Sequence, residues 1–363
     1  MNSDQASTSC DIQSAGKSRN GQSRYWCRAH KAPATGRYGA KLERCESAHL
    51  HRENLKTYTL EPQKFRGGVA AWGALPPVYD TTGLPVERGI HVHAREVAEG
   101  KKVIDQTYDA VQILRPDLYR PSPVFVTAEA GVNYFISKFL KRRIDHLFCT
   151  YCGELHLDAD YYAVHPHKKH LCHGCGKTFP VAERSISNPV AFLREQFGDM
   201  DTHRHVRHAQ KNLSIRQRDY SGGIQIWASN PALLWTAGKA ESEGIHVHAY
   251  KNGNREKDDT YREVIIDGIS IDEEPLRYLM AQKALSYLGN KVISLKCPKC
   301  SAPIFDKGEL AFTPHKDHEC NSCGSHFDTP GQRKLVVSNP FIETIERLHR
   351  AQKTQRAVRS GRV

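Results

Sequence analysis

The stretch from Cys149 to Cys175 reads CTYCGELHLDADYYAVHPHKKHLCHGC, and its pattern returns from Cys297 to Cys323 as CPKCSAPIFDKGELAFTPHKDHECNSC. Zn²⁺ prefers four soft or borderline ligands in a tetrahedron, and two CxxC turns set opposite each other supply four thiolates from a short segment. One ion is therefore expected on Cys149, Cys152, Cys172 and Cys175, and another on Cys297, Cys300, Cys320 and Cys323. Closed sites of this kind leave no coordination position for water or substrate, so their expected role is structural.

With CPKC at Cys297 and CxxCG at the second half of each knot, these segments resemble zinc ribbons. The resemblance covers the knots alone. It implies a rigid module of the sort often presented to nucleic acid or to another protein. The matched run PHKxHxCxxCG adds His167, Lys168 and His170 in the first copy and His315, Lys316 and His318 in the second. These side chains are candidates for contact with phosphate or substrate from a rigid edge. Alternatively they hydrogen-bond the sulfurs and backbone of the knot, or one imidazole replaces a thiolate as ligand.

The repetition extends beyond the knots. Gly67, Gly68, Trp72, Pro76, Thr81, Gly83 and the run from Gly89 to Ala94 match Gly222, Gly223, Trp227, Pro231, Thr236, Gly238 and the run from Gly244 to Ala249 at identical spacing. DQTY from Asp105 and DDTY from Asp258 then follow polar turns holding Gly100 or Gly253, the mark of a hairpin in each copy. Val132, Phe135, Ile136, Phe139 and Leu140 recur at helical spacing before the first knot, as do Leu276, Leu279, Met280, Tyr287 and Leu288 before the second. After each knot, Asn188 and Asn339 can cap amphipathic helices begun by Pro189 and Pro340.

The expected fold is therefore α+β: two tandem copies of a β-rich unit with helices and an inserted four-cysteine zinc ribbon, behind a small N-terminal zinc-binding segment. The boundaries read as a disordered tail over 1–24, an N-terminal segment over 25–60 and unit 1 over 65–198. A basic linker then covers 199–220, unit 2 covers 221–349 and a basic tail covers 350–363. Cys27 with His30 and Cys45 with His49 are the candidate ligands of the N-terminal segment, His51 being an alternative fourth.

Residues i and i+2 of a strand face the same side, so His91 with His93, and His246 with His248, each present two imidazoles while Ile90, Val92, Ile245 and Val247 face the core. A third ligand is needed, with Asp105, Asp258 or a histidine of the other copy as candidates. An open site completed in this way can generate hydroxide near neutral pH. Such HxH runs resemble the first strand of amidohydrolases and the first motif of cupins. The duplication with interleaved knots departs from the first family, and the lack of a glutamate near His248 departs from the second. The alternative is a strand whose polar face hydrogen-bonds Thr, Tyr or backbone groups. Trp72 and Trp227 are expected as core aromatics, and the Gly-Gly pairs as turns or bulges.

Across 363 residues, 52 Lys and Arg against 40 Asp and Glu give a net charge of +12, which favours a polyanionic partner. No apolar run suits a secretory signal or a membrane span, so a cytoplasmic protein without membrane contact is expected. Eight of the 11 cysteines fall in CxxC pairs, which points to metal in a reducing compartment rather than to disulfides. The leading expectation is a zinc-stabilised protein that binds or processes nucleic acid. Its rivals are a metal-dependent hydrolase of a nucleotide or small polar substrate, built on the HxH pairs, and a structural adaptor between proteins.

Overall fold

The computed structural model describes residues 57–361 apart from 85–88, 98–99, 115–123, 173, 198–206, 230–231, 237–241, 286–290 and 330–336, together with the backbone of three N-terminal strands. Those strands, Ile12–Lys17, Ser23–Cys27 and Ala32–Ala34, pair antiparallel, so the middle one runs across the boundary drawn at residue 24. Cys27 closes that strand, whereas His30, Cys45, His49 and His51 lie outside the described residues.

The fold is mixed α+β, with four α-helices among the described residues and two clusters of four cysteines. Two antiparallel four-stranded sheets form its centre. The first runs Leu234–Trp235, Val69–Gly73, Ile90–Arg95, Lys102–Tyr108; the second runs Asn254–Tyr261, Ile245–Lys251, Gly223–Ala228, Tyr79–Asp80. Each sheet is thus edged by a short strand from the other half of the chain. The exchange carries side chains with it. Val78 and Tyr79 are buried among Ile224, Ile226 and Val247, while Leu233 and Leu234 are buried with Ala71 and Val92.

A smaller sheet accompanies each large one. Thr57–Leu60 lies parallel to Ala110–Ile113, which pairs antiparallel with Val124–Thr127; Asn212–Ile215, Glu263–Ile266 and Ile269–Ile271 repeat the arrangement. Residues 212–215 therefore belong to the packed body, with Leu213 and Ile215 buried, although the basic charge around them suggested a linker. The last basic stretch is also structured through most of its length. Helix α4 spans Phe341–Arg359, because the Ala, Gln, Lys and Arg residues after Leu348 are good helix formers.

Helix α1, Ala128–Phe139, buries Phe135 and Ile136, and helix α3, Glu273–Leu285, buries Leu276, Leu279 and Met280, as the spacing predicts. Tyr287 and Leu288 lie outside the described residues. Helix α2 spans Pro189–Phe197. Asn188 Oδ1 accepts from Val190 N at 3.0 Å, and Asn339 Oδ1 accepts from Phe341 N at 3.0 Å, so both asparagines cap. Their amides donate to Ala130 O and Pro275 O, tying each helix that follows a knot to the helix that precedes it.

Candidate metal centres

Each four-cysteine knot is built from two hairpin turns. Backbone N–H groups of Tyr151, Gly174 and Lys299 point at Cys149, Cys172 and Cys297 Sγ, leaving the sulfurs on the inner side. The residue after each CxxC takes a left-handed conformation, with φ between 60° and 72°, which suits glycine at 153, 176 and 324 and is borne by Ser301. Cys149 Sγ lies 3.7 Å from Cys175 Sγ and Cys152 Sγ 3.5 Å from Cys172 Sγ; the second knot gives 3.8 Å for Cys297 with Cys323 and 3.5 Å for Cys300 with Cys320. A tetrahedron with metal–sulfur bonds of about 2.3 Å has edges of about 3.8 Å. Both knots thus have the dimensions that a metal site such as zinc requires. Thiolate character is favoured at Cys297, lowered to about 6 chiefly by its hydrogen bond with Ser325.

The histidines of PHKxH serve the knots from beneath. Asp158 Oδ1 meets His156 Nε2 at 2.8 Å, His170 Nδ1 at 3.1 Å and His167 Nε2 at 3.3 Å, while Oδ2 accepts from Ser187 N at 2.7 Å. Asp306 does the same with His318, His315 and Ser338 N, Ile304 standing where the first knot has His156. The carboxylate joins the knot to the segment entering the next helix. His170 and His318 have fully buried side chains that face these carboxylates. His167 Nε2 faces Asp158 Oδ1 at 3.3 Å, and His315 Nε2 lies 3.5 Å from Asp306 Oδ1. Of the six candidates, Lys168 and Lys316 are exposed.

The HxH strands make a different kind of centre. Ile90, Val92, Ile245 and Val247 are buried in the sheets as expected, and the imidazoles share the opposite face. Register then selects the third group. His93 stands opposite Asp105 and His91 opposite Thr107; His248 stands opposite Asp258 and His246 opposite Thr260. In the first triplet the two Nε2 atoms are 2.9 Å apart and each lies 3.3 Å from Asp105 Oδ1. In the second the separations are 2.9 Å between His246 and His248, then 3.5 Å and 3.3 Å to Asp258 Oδ1. Metal bonds of about 2.0–2.1 Å to N and O imply ligand–ligand edges from about 2.9 Å at a right angle to about 3.4 Å at the tetrahedral angle, so each triplet has the dimensions of three ligands on one ion with further positions open.

The protonation states agree with this geometry. Burial lowers the pKa of His91, and burial with the neighbouring His248 lowers His246 to about 3. Asp105 and Asp258 are held well below the usual carboxylate range despite burial, through the imidazoles facing them and the cations beside them. His91 Nδ1 and His246 Nδ1 lie 3.0 Å and 3.1 Å from the hydroxyls of Thr107 and Thr260. A proton donated from Nδ1 to the threonine leaves the Nε2 lone pair for the centre.

Gly89 and Gly244 start the two strands at φ 158° and 149°, and a Cβ at either would collide with the carbonyl oxygen of Tyr108 or Tyr261. This explains the glycine in each GIHVHA run. Downstream, a bulge skips Val103 opposite Ala94 and Arg95, and another skips Glu256 opposite Ala249 and Tyr250. Each bulge resets the side-chain alternation and turns Lys102 or Arg255 toward the aspartate three residues later. Lys102 Nζ is 2.7 Å from Asp105 Oδ2 and 3.8 Å from Asp258 Oδ2; Arg255 Nη2 is 3.1 Å from Asp258 Oδ2 and 3.5 Å from Asp105 Oδ2. Both cations thus bridge the two halves.

The four histidines line one cavity of about 500 Å³, shared with Trp72, Trp227, Gln225, Tyr250 and Arg255. Trp72 and Trp227, expected in the core, are half-buried walls of this cavity, each 4.9 Å from its edge-on partner, His93 or His248. Lys102, Arg255, Thr107 and Thr260 were not singled out from the sequence. Their signal was a cation and a threonine at fixed offsets from each aspartate.

Comparison with protein-family models, with curated proteins and with solved structures finds no match for this chain. No described helix is long and apolar enough to cross a membrane.

Proposed function

We propose that this chain is a metal-dependent hydrolase acting on a phosphate ester of nucleotide size, with zinc in its two four-cysteine knots as structural staples. The observation that carries this reading is the pair of His-His-Asp triplets opening into one cavity of about 500 Å³, a volume suited to a small ligand. His91, His93 and Asp105 would hold one divalent ion, and His246, His248 and Asp258 the other. Such ions supply an activated water and a Lewis acid for a phosphoryl oxygen.

The chain's own groups provide the rest. Arg255 at the cavity wall, with Lys102 beside the two carboxylates, supplies positive charge for phosphate oxygens, and Trp72 and Trp227 offer ring faces or edges to a base. In hydrolysis, water oxygen bonds to phosphorus, the ester P–O bond breaks, and the leaving oxygen takes a proton. Tyr250 lines the cavity, and its phenol, protonated near neutral pH, is a hydrogen-bond donor there. The matched registers of the two triplets support duplication of one unit as the origin of this arrangement. This reading takes up the rival expectation of a metal-dependent hydrolase in place of the leading expectation of nucleic-acid binding or processing, and the charge of +12 favours a polyanionic substrate.

Metal counting on the purified full chain tests the reading. Relative to wild type, His91→Ala with His93→Ala should remove one divalent ion and the four-histidine variant two, with loss of phosphatase activity toward nucleotides. Unchanged metal content in both variants would overturn it.

A further inference from the structure

We propose that the shared cavity is a two-ended clamp for a diphosphate group, one phosphoryl unit at each His-His-Asp triplet; this rests on the metal reading above. Three observations lead to it. The first is the spacing of the triplets. Distances of 2.7 and 3.8 Å to the single atom Lys102 Nζ hold Asp105 Oδ2 and Asp258 Oδ2 no more than roughly 6.5 Å apart. Two metal centres on the far oxygens of these carboxylates are neighbours, yet they have no common ligand among these triplets. One small anion with two coordinating ends can serve both.

The second observation is the balance of charge. Asp105 and Asp258 are cancelled by Lys102 and Arg255, and imidazoles that hold a metal are neutral. Two divalent ions then leave an excess of four positive charges in a partly buried cavity, where uncompensated charge is expensive. A phosphate monoester dianion offsets half of that excess. A diphosphate, carrying up to four negative charges, offsets nearly all of it.

The third observation is where the cations stand. Lys102 and Arg255 each reach both carboxylates, so each links the two centres; Arg255 lines the cavity and Lys102 stands 3.5 Å from His93 Nε2. A P–O–P unit that joins the two centres would lie beside both cations. The planar guanidinium of Arg255 can fork two phosphoryl oxygens, and Lys102 adds a point charge. Inorganic pyrophosphate and a nucleoside diphosphate share this chemistry, and Trp72 and Trp227 at the two ends give a nucleoside a surface to lie on.

The test is calorimetric titration of the metal-loaded full chain with methylenediphosphonate, the α,β-methylene analogue of ADP and inorganic phosphate. The methylene bridge resists hydrolysis, so binding is read alone. The clamp predicts one diphosphonate per chain, bound at least 100-fold more tightly than phosphate. Arg255→Gln should weaken diphosphonate 10- to 100-fold with the metal count unchanged, and Lys102→Gln gives a second reading should the first variant fold poorly. Tighter binding of the nucleotide analogue identifies a nucleoside diphosphate as ligand, equal binding identifies the inorganic diphosphate, and either result upholds the clamp. Diphosphonate binding no tighter than phosphate, with both pocket metals present, overturns the clamp and leaves the hydrolase reading standing. Absence of the pocket metals removes that reading itself.

Discussion

His91 Nε2 lies 2.9 Å from His93 Nε2, and Asp105 Oδ1 lies 3.3 Å from both. When Nδ1 of His91 donates to Thr107, its Nε2 carries a lone pair that faces a second imidazole nitrogen and a carboxylate. Three electron-rich atoms at these distances repel one another, and Lys102 Nζ, 2.7 Å from Asp105 Oδ2 and 3.5 Å from His93 Nε2, offsets part of that repulsion. A proton can relieve one edge of the triangle, whereas a divalent ion relieves all three. His246, His248 and Asp258 repeat the arrangement with Thr260 behind them.

Thr107→Val keeps the shape of the side chain and removes the hydroxyl that orients His91. Groups that orient metal ligands typically contribute about 10–100-fold in affinity. The variant should lose that much at the first centre and nothing at the second, and Thr260→Val should do the reverse. Competition with a chromophoric chelator reads both.

Acid should act on the pocket in a defined direction. His246 has its pKa lowered to about 3 in the folded chain, so at pH values between that and its ordinary 6.5 the unfolded chain binds more protons. Stability contributed by the neutral ring is present above 6.5 and lost as pH falls toward 3. Asp105 and Asp258, whose pKa values are also lowered, add a further loss below about 4. Melting temperature of protein with loaded knots and no metal at the histidine pocket should therefore decline from about pH 6.5 downward, and His246→Gln should flatten the upper part of that decline.

Asp158 and Asp306 should prove to be stability determinants without a role in the reaction. Removal of Asp158 strands Ser187 N and the facing imidazoles in a buried site, a defect of about 3–5 kcal/mol for a broken buried pair. Urea denaturation should place Asp158→Ala in that range. Asp306→Ala should cost less, because Ile304 replaces one of the imidazoles.

Cys172→Ser and Cys320→Ser should each release one ion and lower the melting temperature, since structural zinc sites contribute directly to folding. Elemental analysis with calorimetry checks both effects. Retention of the full metal count in either variant would remove that cysteine from the ligand set.

The exchanged strands make the halves interdependent. A fragment ending at residue 197 lacks Leu233 and Leu234 and leaves the edge of Val69–Gly73 open, a template for aggregation. Expressed alone it should be insoluble, and coexpression with residues 207–363 should rescue it. Soluble, monomeric halves would show that the exchange is dispensable.

Much of this was legible before any coordinates. The two four-cysteine sets follow from spacing alone, because CxxC geometry is local and two such turns need only be brought together. The inward and outward faces of Ile90, His91, Val92 and His93 follow from the period of two. Asp105 and Asp258 were among several candidates for third ligand, and the antiparallel register singled them out. Leu213 and Ile215 were hidden by surrounding charge, since two alternating residues are too short a pattern to stand out.

Sequence by itself determined the knots and the repeated HxH runs, features set by residues near one another in the chain. Tertiary structure alone decided that the HxH runs of the two halves share one cavity, that Arg255 lines it while Lys102 joins the two aspartates, and that Trp72 and Trp227 wall it. The physical reason is that these depend on strand exchange and on bulges that reset side-chain alternation. The exchange relates distant segments and a bulge interrupts the period of two, so local periodicity encodes neither.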